Sequence, residues 1–256
     1  LLESFLLPIT YFVSPDKRLF IGYLLTSACL AYWVFKRQSR TGFLQYLFPR
    51  DVWLGPSARL DYQLVFFNAV VKVVFLGQLF IYGLHLAFYV NDFLVIQFGA
   101  KHEPWSPMWV YVLFAVTSTL IGDGTVYVVH RAFHRIPFLW AIHKVHHSAT
   151  VLNPVTQFRI HPLELIVNNV RATLVFGSLA GAMDYLSGGQ TSPMALVGVN
   201  LFSIAFFAFG ANLRHSHVRL SYWHWLEHLL ISPTQHQIHH SVAPAHHNRN
   251  FGSKLA

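Results

Sequence analysis

Apolar residues gather in five stretches, Leu19–Phe35, Leu64–Val90, Met108–Val129, Leu163–Leu186 and Met194–Leu213. A helix crossing a hydrocarbon core needs about 20 such residues, so the pattern predicts an all-α integral membrane protein of about five spans. Leu1–Val13 reads as an interfacial or partly inserted segment, and Ser187-Gly188-Gly189 with Pro193 marks a turn between the last two stretches. The chain starts at Leu1 without a signal-peptide order, which reads as a trimmed start. With neither repeat nor linker in view, residues 1–256 form a single membrane domain.

The polar intervals assign sides. If the first span runs outward to inward, the inner segments 36–63, 130–162 and 214–256 hold thirteen basic residues, against Lys17, Arg18 and Lys101 outside. The positive-inside rule then puts those segments in the cytoplasm, of a bacterial cytoplasmic membrane or of the endoplasmic reticulum. Both histidine-rich segments, 130–161 and 215–247, fall on that side and can meet in a helical cap.

Composition agrees: the chain is 54% hydrophobic and 11% charged. The formal charge of +8 is explained by topology, and no basic run interleaved with aromatics points to nucleic acid. The single Cys29 excludes a thiolate site, so any metal must be held by nitrogen or oxygen. Histidine is the anomaly, with seventeen residues, fifteen of them between His130 and His247.

Spacing organises them. His130 and His134 share one helical face at the inner end of the third span, and Pro137 follows as a stop. His143, His146 and His147 are spaced i, i+3, i+4, and His236, His239 and His240 repeat that spacing. The last triple has a start signal in Ser232, Pro233 and Gln235, which reads as a capping box. These eight imidazoles exceed the three or four ligands of one zinc, and the surplus argues for two metals. Imidazole alone does not choose among iron, zinc, copper and nickel. Iron is preferred because a lipid-facing, thiolate-free site with few carboxylates fits dioxygen chemistry on an inert C–H bond. His85 and His102 stand alone, His224 and His228 sit in an aromatic interfacial stretch, and His246 and His247 read as tail. Asp123, seven residues before His130, is placed to accept the free N–H of a ligand imidazole, and Glu164 to orient His161.

The segments Asp123–His134 (DGTVYVVHRAFH), Pro137–Ser148 (PFLWAIHKVHHS), Arg159–Glu164 (RIHPLE), Arg214–Leu220 (RHSHVRL), Ser232–Ser241 (SPTQHQIHHS) and Asn250-Phe251-Gly252 together resemble the fatty acid hydroxylase / sterol desaturase superfamily of membrane di-iron oxygenases. The resemblance covers roughly residues 120–252. It implies that His130, His134, His143, His146, His147, His236, His239 and His240 bind two irons, and it adds His161 and His215 as ligands. His217 stands where relatives more often have asparagine, as a replacement ligand or a supporting donor. Relatives usually continue past the position of Ala256 with a further short segment, which leaves the tail's contribution open.

The implied reaction uses dioxygen and two electrons to hydroxylate or desaturate a C–H bond of a hydrophobic lipid such as a sterol or fatty acyl chain. Neither outcome is selected by the sequence. No haem, flavin or iron–sulfur motif is fused to the chain, so a separate electron-donor redox protein is expected on the basic face. Zinc is the expected replacement metal in purified protein. The rival readings are a membrane zinc hydrolase, which would want a HExxH-type carboxylate, and a haem or metal-transport protein, which would want histidines within the spans.

Overall fold

The computed structural model describes residues 2–38, 42–197 and 200–256, and it is helical throughout, with no strand among the described residues. In chain order the helices are α1 (Leu2–Val13), α2 (Ile21–Gln38), α3 (Phe43–Leu47), α4 (Arg50–Leu54), α5 (Pro56–Val71), α6 (Gly77–Phe98), α7 (Pro107–Arg135), α8 (Pro137–His147), α9 (Pro162–Leu186), α10 (Leu201–Ala208), α11 (His224–Glu227) and α12 (Pro233–His239).

Among the described residues three helical segments are long and apolar enough to cross a membrane: Pro56–Phe98, Pro107–Arg135 and Pro162–Leu186. The first and fifth of the five expected stretches are not among them. The first stretch forms α2, whose eighteen residues close on Lys36-Arg37-Gln38. The fifth yields only the eight residues of α10, which stops at Gly210, a left-handed residue with φ 93°. Residues 198–199 of that stretch, and Arg40 among the inner charges, lie outside the described residues. The second stretch lies inside a longer rod, because α5 and α6 join through a π-helical turn, Lys72–Leu76. At 1.5 Å per residue this 43-residue rod is roughly twice the length needed to cross the hydrocarbon core, so one half must project.

The α6 half joins α7 and α9 in a bundle. Contact between α6 and α9 is close because both present small residues: a Cβ added at Gly181 would lie 2.2 Å from the Ala87 carbonyl oxygen, and one at Gly177 would lie 2.7 Å from that of Gly83. Such small-residue contacts let backbones approach where lipid offers no hydrophobic driving force. Ala87, Val110, Phe114, Ala180, Met183 and Leu196 form the bundle's apolar centre. One end is tied by the Trp105 N–H donating to the Leu186 carbonyl. At the other end α7 stops at Ile136, whose extended backbone (φ −97°, ψ 117°) precedes Pro137, the first residue of α8. On this end the α5 half, α8, α12 and the C-terminal segment build a cap.

The cap is fastened by a buried polar knot. Arg159 Nε donates to Asp61 Oδ1 at 2.6 Å, and Arg159 Nη2 donates to the Ser57 carbonyl (2.6 Å) and hydroxyl (2.8 Å). Thr156 and Asn153 donate to the second oxygen of Asp61 at 2.7 and 3.3 Å. Asp61 is 0% exposed and Arg159 2%. A carboxylate that is fully dry but accepts several hydrogen bonds and one guanidinium is tolerable; either partner alone would not be.

Candidate metal centre

The histidines converge in two groups. His130, His134, His143, His147 and His239 form one, and His146, His215, His236 and His240 the other, with the ligand atoms of each group within 4.8 Å of one another. Each HxxHH triple is thus divided. With about 100° of turn per residue, i and i+4 lie about 40° apart, whereas i+3 and i+4 are about 100° apart and cannot face one point. Accordingly His143 and His147 enter the first group and His146 the second, while His236 and His240 enter the second and His239 the first. The two helices are cross-wired, each contributing to both groups, and the groups abut, with the His147 and His240 rings 4.6 Å apart.

Hydrogen bonds on the far side of the rings fix their tautomers. The Nδ1 of His130 donates to the Phe251 carbonyl (2.8 Å), that of His239 to the Arg249 carbonyl (2.8 Å) and that of His146 to the Arg159 carbonyl (3.1 Å). A ring whose Nδ1 carries the proton presents a bare lone pair at Nε2. The Nε2 atoms of His130 and His239 nevertheless stand 3.0 Å apart. Two lone pairs that close repel unless a cation lies between them. Metal-bound imidazoles make that contact natural, since bonds of about 2.0–2.1 Å set neighbouring nitrogens roughly 3 Å apart. Buried Nε2 atoms of His134 and His147 have no hydrogen-bond partner, as expected of atoms kept for a metal. In the second group His215 Nε2 lies 3.1–3.3 Å from the Nε2 atoms of His236, His240 and His146. His236 is held differently: Arg214 Nη2 donates to its Nδ1 at 2.8 Å, so a metal at Nε2 must displace that ring's proton.

Burial keeps these rings neutral. Desolvation pushes His143 down to about 4 and His146 to about 3, and pushes His147, His215, His236, His239 and His240 well below the usual imidazole value, with neighbouring rings adding to the effect for all but His143. Neutral imidazole is the ligating form. The donor set, nine nitrogens in two groups without thiolate, suits a pair of borderline divalent metals.

Other expected positions fall elsewhere. His161 stands outside both groups, its Nδ1 accepting from the Leu163 N–H as the N-cap of α9. His217 also stands apart and donates from Nε2 to the Tyr46 carbonyl at 2.7 Å. The rings of His224 and His228 pair with each other, 4.8 Å apart. Two carboxylates were expected to support the rings. Glu164 Oε1 lies 3.0 Å from Nδ1 of His143, because α8 lies over the first turn of α9. Asp123 touches no histidine; its carboxylate accepts the backbone N–H groups of Lys254 and Leu255 at 2.8–3.1 Å and so anchors the C-terminal segment. That segment matters: it supplies the Arg249 and Phe251 carbonyls that orient His239 and His130. Sequence reading missed these supports because a carbonyl has no residue signature. The Asn250-Phe251-Gly252 match was the available hint, and the structure finds Asn248 and Asn250 left-handed (φ 58° and 56°) where the segment turns.

The sequence model of a family described as fatty acid hydroxylase matches residues 115–256, just over half of the chain. Ornithine lipid hydroxylase OlsE of Rhizobium tropici is 27% identical over 151 residues, which cover 59% of this chain and 41% of that protein. Alkylglycerol monooxygenase of Danio rerio is 24% identical over 191 residues, 70% of this chain and 35% of that protein. The chain thus spans less than half the length of these curated relatives. No solved structure matches it.

Proposed function

The chain belongs to the fatty acid hydroxylase family, and on that premise we propose that it is a membrane oxygenase that hydroxylates a lipid C–H bond with dioxygen and two electrons at a pair of irons. The observation that carries the reading is the convergence of nine imidazole nitrogens, several of them bare lone pairs, into two adjoining groups. Its relatives' names, an ornithine lipid hydroxylase and an alkylglycerol monooxygenase, supply the substrate class, a lipid with a polar end.

In this reading His130, His134, His143, His147 and His239 hold one iron, and His146, His215, His236 and His240 the other. Bound iron supplies the activation of dioxygen and the oxidation of the C–H bond. The residues supply the rest. Phe251, Arg249 and Arg159 hold three ring protons away from the metals with their carbonyls, and Glu164 braces His143. Phe133, 2% exposed and stacked on His143, excludes water on one flank.

A cavity of about 600 Å³ opens on the side away from the bundle, between Trp140, Lys144 and His247. It sets the Lys144 ammonium close to His134, His147, His239 and His240, a point of attraction for an acidic electron donor. The three apolar helices cross the membrane, and the cap with its metals lies on the cytoplasmic side.

The test is metal analysis of protein supplied with iron and purified without oxygen. About two metals per chain are expected from the ligand count, falling in His239→Ala together with activity. Lipid mass spectrometry of cells with and without the protein should show a species gaining one oxygen, or losing two hydrogens if desaturation is the outcome. Full activity in metal-free protein would end the reading.

A further inference from the structure

Two cavities touch both histidine groups, from opposite sides. The inner one, on the bundle side, has a volume of about 220 Å³ and is walled by His130, His143, His146, His215 and His236 together with Arg18, Gln157, Glu164 and Arg214. That is too small for a long acyl chain, since ligand pockets usually measure about 300–1,000 Å³. The roomy apolar cavity, about 920 Å³ between α2, α10 and residues 220–230, touches none of the grouped histidines. On the bundle side the space beside the histidine groups is therefore small and polar, and the larger apolar cavity lies apart from them.

The inner wall carries two guanidinium groups whose partners are all neutral. Arg18 Nη1 donates to Gln157 Oε1 at 3.0 Å, and Asn212 Nδ2 fixes the Arg18 carbonyl at 2.9 Å. Arg214, 2% exposed, donates to the carbonyls of Ser253 and Gly252 and to His236, and its buried Nε has no partner. Of the carboxylates within reach, Asp123 accepts two backbone N–H groups, and Glu164 lies against His143 through Oε1 while its buried Oε2 has no partner. Neither guanidinium hydrogen-bonds a carboxylate; Arg18 is half-buried and Arg214 is a buried cation, and an uncompensated buried charge is costly. Guanidinium is the side chain that meets the oxygens of a carboxylate or phosphate as a fork.

We infer that the inner cavity is a subsite for the anionic oxyacid group of a lipid, held by Arg18 and Arg214, so that the oxidised C–H bond lies near the lipid's polar end. The inference rests on the oxygenase reading for its purpose, though not for its chemistry. Val126, Phe133 and Ile160 complete the wall and accommodate the first carbons beyond the charged group.

The probes are four twelve-carbon amphiphiles: laurate, dodecyl phosphate, dodecanol and dodecyltrimethylammonium. They are titrated into metal-loaded protein in neutral detergent, and binding is read by native mass spectrometry and thermal shift. One or both anions should bind about tenfold or more tighter than the alcohol, the size expected for one desolvated charge pair. A stronger response to laurate assigns a carboxylate, and a stronger response to dodecyl phosphate assigns a phosphate. Arg18→Gln should abolish the preference with metal content unchanged, and Arg18→Lys should restore part of it. Equal binding of alcohol and anions by the wild-type protein overturns the subsite, as does a preference that survives in R18Q. The wild-type comparison decides alone if R18Q does not fold. Two metals without anion preference sinks the subsite and leaves the oxygenase reading standing; anion preference in a protein that holds no metal does the reverse.

Discussion

The bundle and the cap are built on opposite plans. In the bundle large apolar side chains such as Phe88, Ile96, Met108, Val116 and Leu174 face outward, while Gly83, Ala87, Gly177, Ala180 and Gly181 meet inside. In the cap the interior is ionic, and the two largest fully buried side chains among the described residues are Arg159 and Arg214. Each plan follows from its surroundings. Apolar surface gains nothing by leaving lipid for protein, so bundle helices hold by close backbone approach. The cap must keep nine rings neutral and aimed, and only hydrogen bonds and paired charges fix a ring's rotation and tautomer.

The sharpest way to break this contrast is at the knot under the cap. Asp61→Asn keeps the shape but leaves Arg159 as a buried cation without its carboxylate, which costs about 3–5 kcal/mol. The Arg159 carbonyl orients His146, so the loss should fall first on the second histidine group. Metal per chain should drop toward one before the protein unfolds, with a large fall in melting temperature in detergent. Wild-type metal content and melting temperature in this variant would show that the knot does not position the site.

The same contrast explains what could be read in the sequence. Hydropathy found the three long apolar helices, because a span is a property of composition over about 20 residues. It also marked two further stretches, of which α2 has eighteen residues and α10, described over eight, ends before the left-handed Gly210. Spacing found eight of the nine grouped histidines, His215 coming from the family resemblance, but not their partition, which depends on how two separate helices face each other. The supports were least legible. Asp61 lies 98 positions from Arg159, the Phe251 carbonyl is 121 from His130, and Asp123 holds a backbone segment 131 residues on. Local pattern does not carry such pairings. Gly177-x-x-x-Gly181, in contrast, is a local signal of close helix contact, visible in α9 but left unused.

That glycine pair gives the intermediate effect. Gly181→Ala puts a Cβ 2.2 Å from the Ala87 carbonyl oxygen, so α6 and α9 must separate, at a cost of about 1–3 kcal/mol for overpacking. The bundle and cap plans are separable if the melting temperature falls while metal per chain stays at the wild-type value. Loss of metal in this variant would mean instead that bundle spacing sets the site.

The smallest effect tests how local the cap's rigidity is. Ser232 and Gln235 close a capping box on α12, each side chain satisfying the other's backbone N–H, and Glu227 accepts from the Ser232 hydroxyl at 2.6 Å. The helix spans only seven residues yet carries His236 and His239, with His240 at its end, and its first turn is fixed by this cap together with the Thr234 N–H donating to the Leu220 carbonyl and Asn250 donating to the Gln235 carbonyl. Ser232→Ala removes that acceptor and leaves the Gln235 N–H and the Glu227 carboxylate short of a partner, a loss of about 1 kcal/mol. Both histidine groups draw on α12, so metal should leave both faster when challenged with a chelator, while equilibrium metal content changes little. A release rate equal to wild type would mean that the rings are held by the Arg214 and Arg249 contacts alone, and that the helix start contributes nothing to the site.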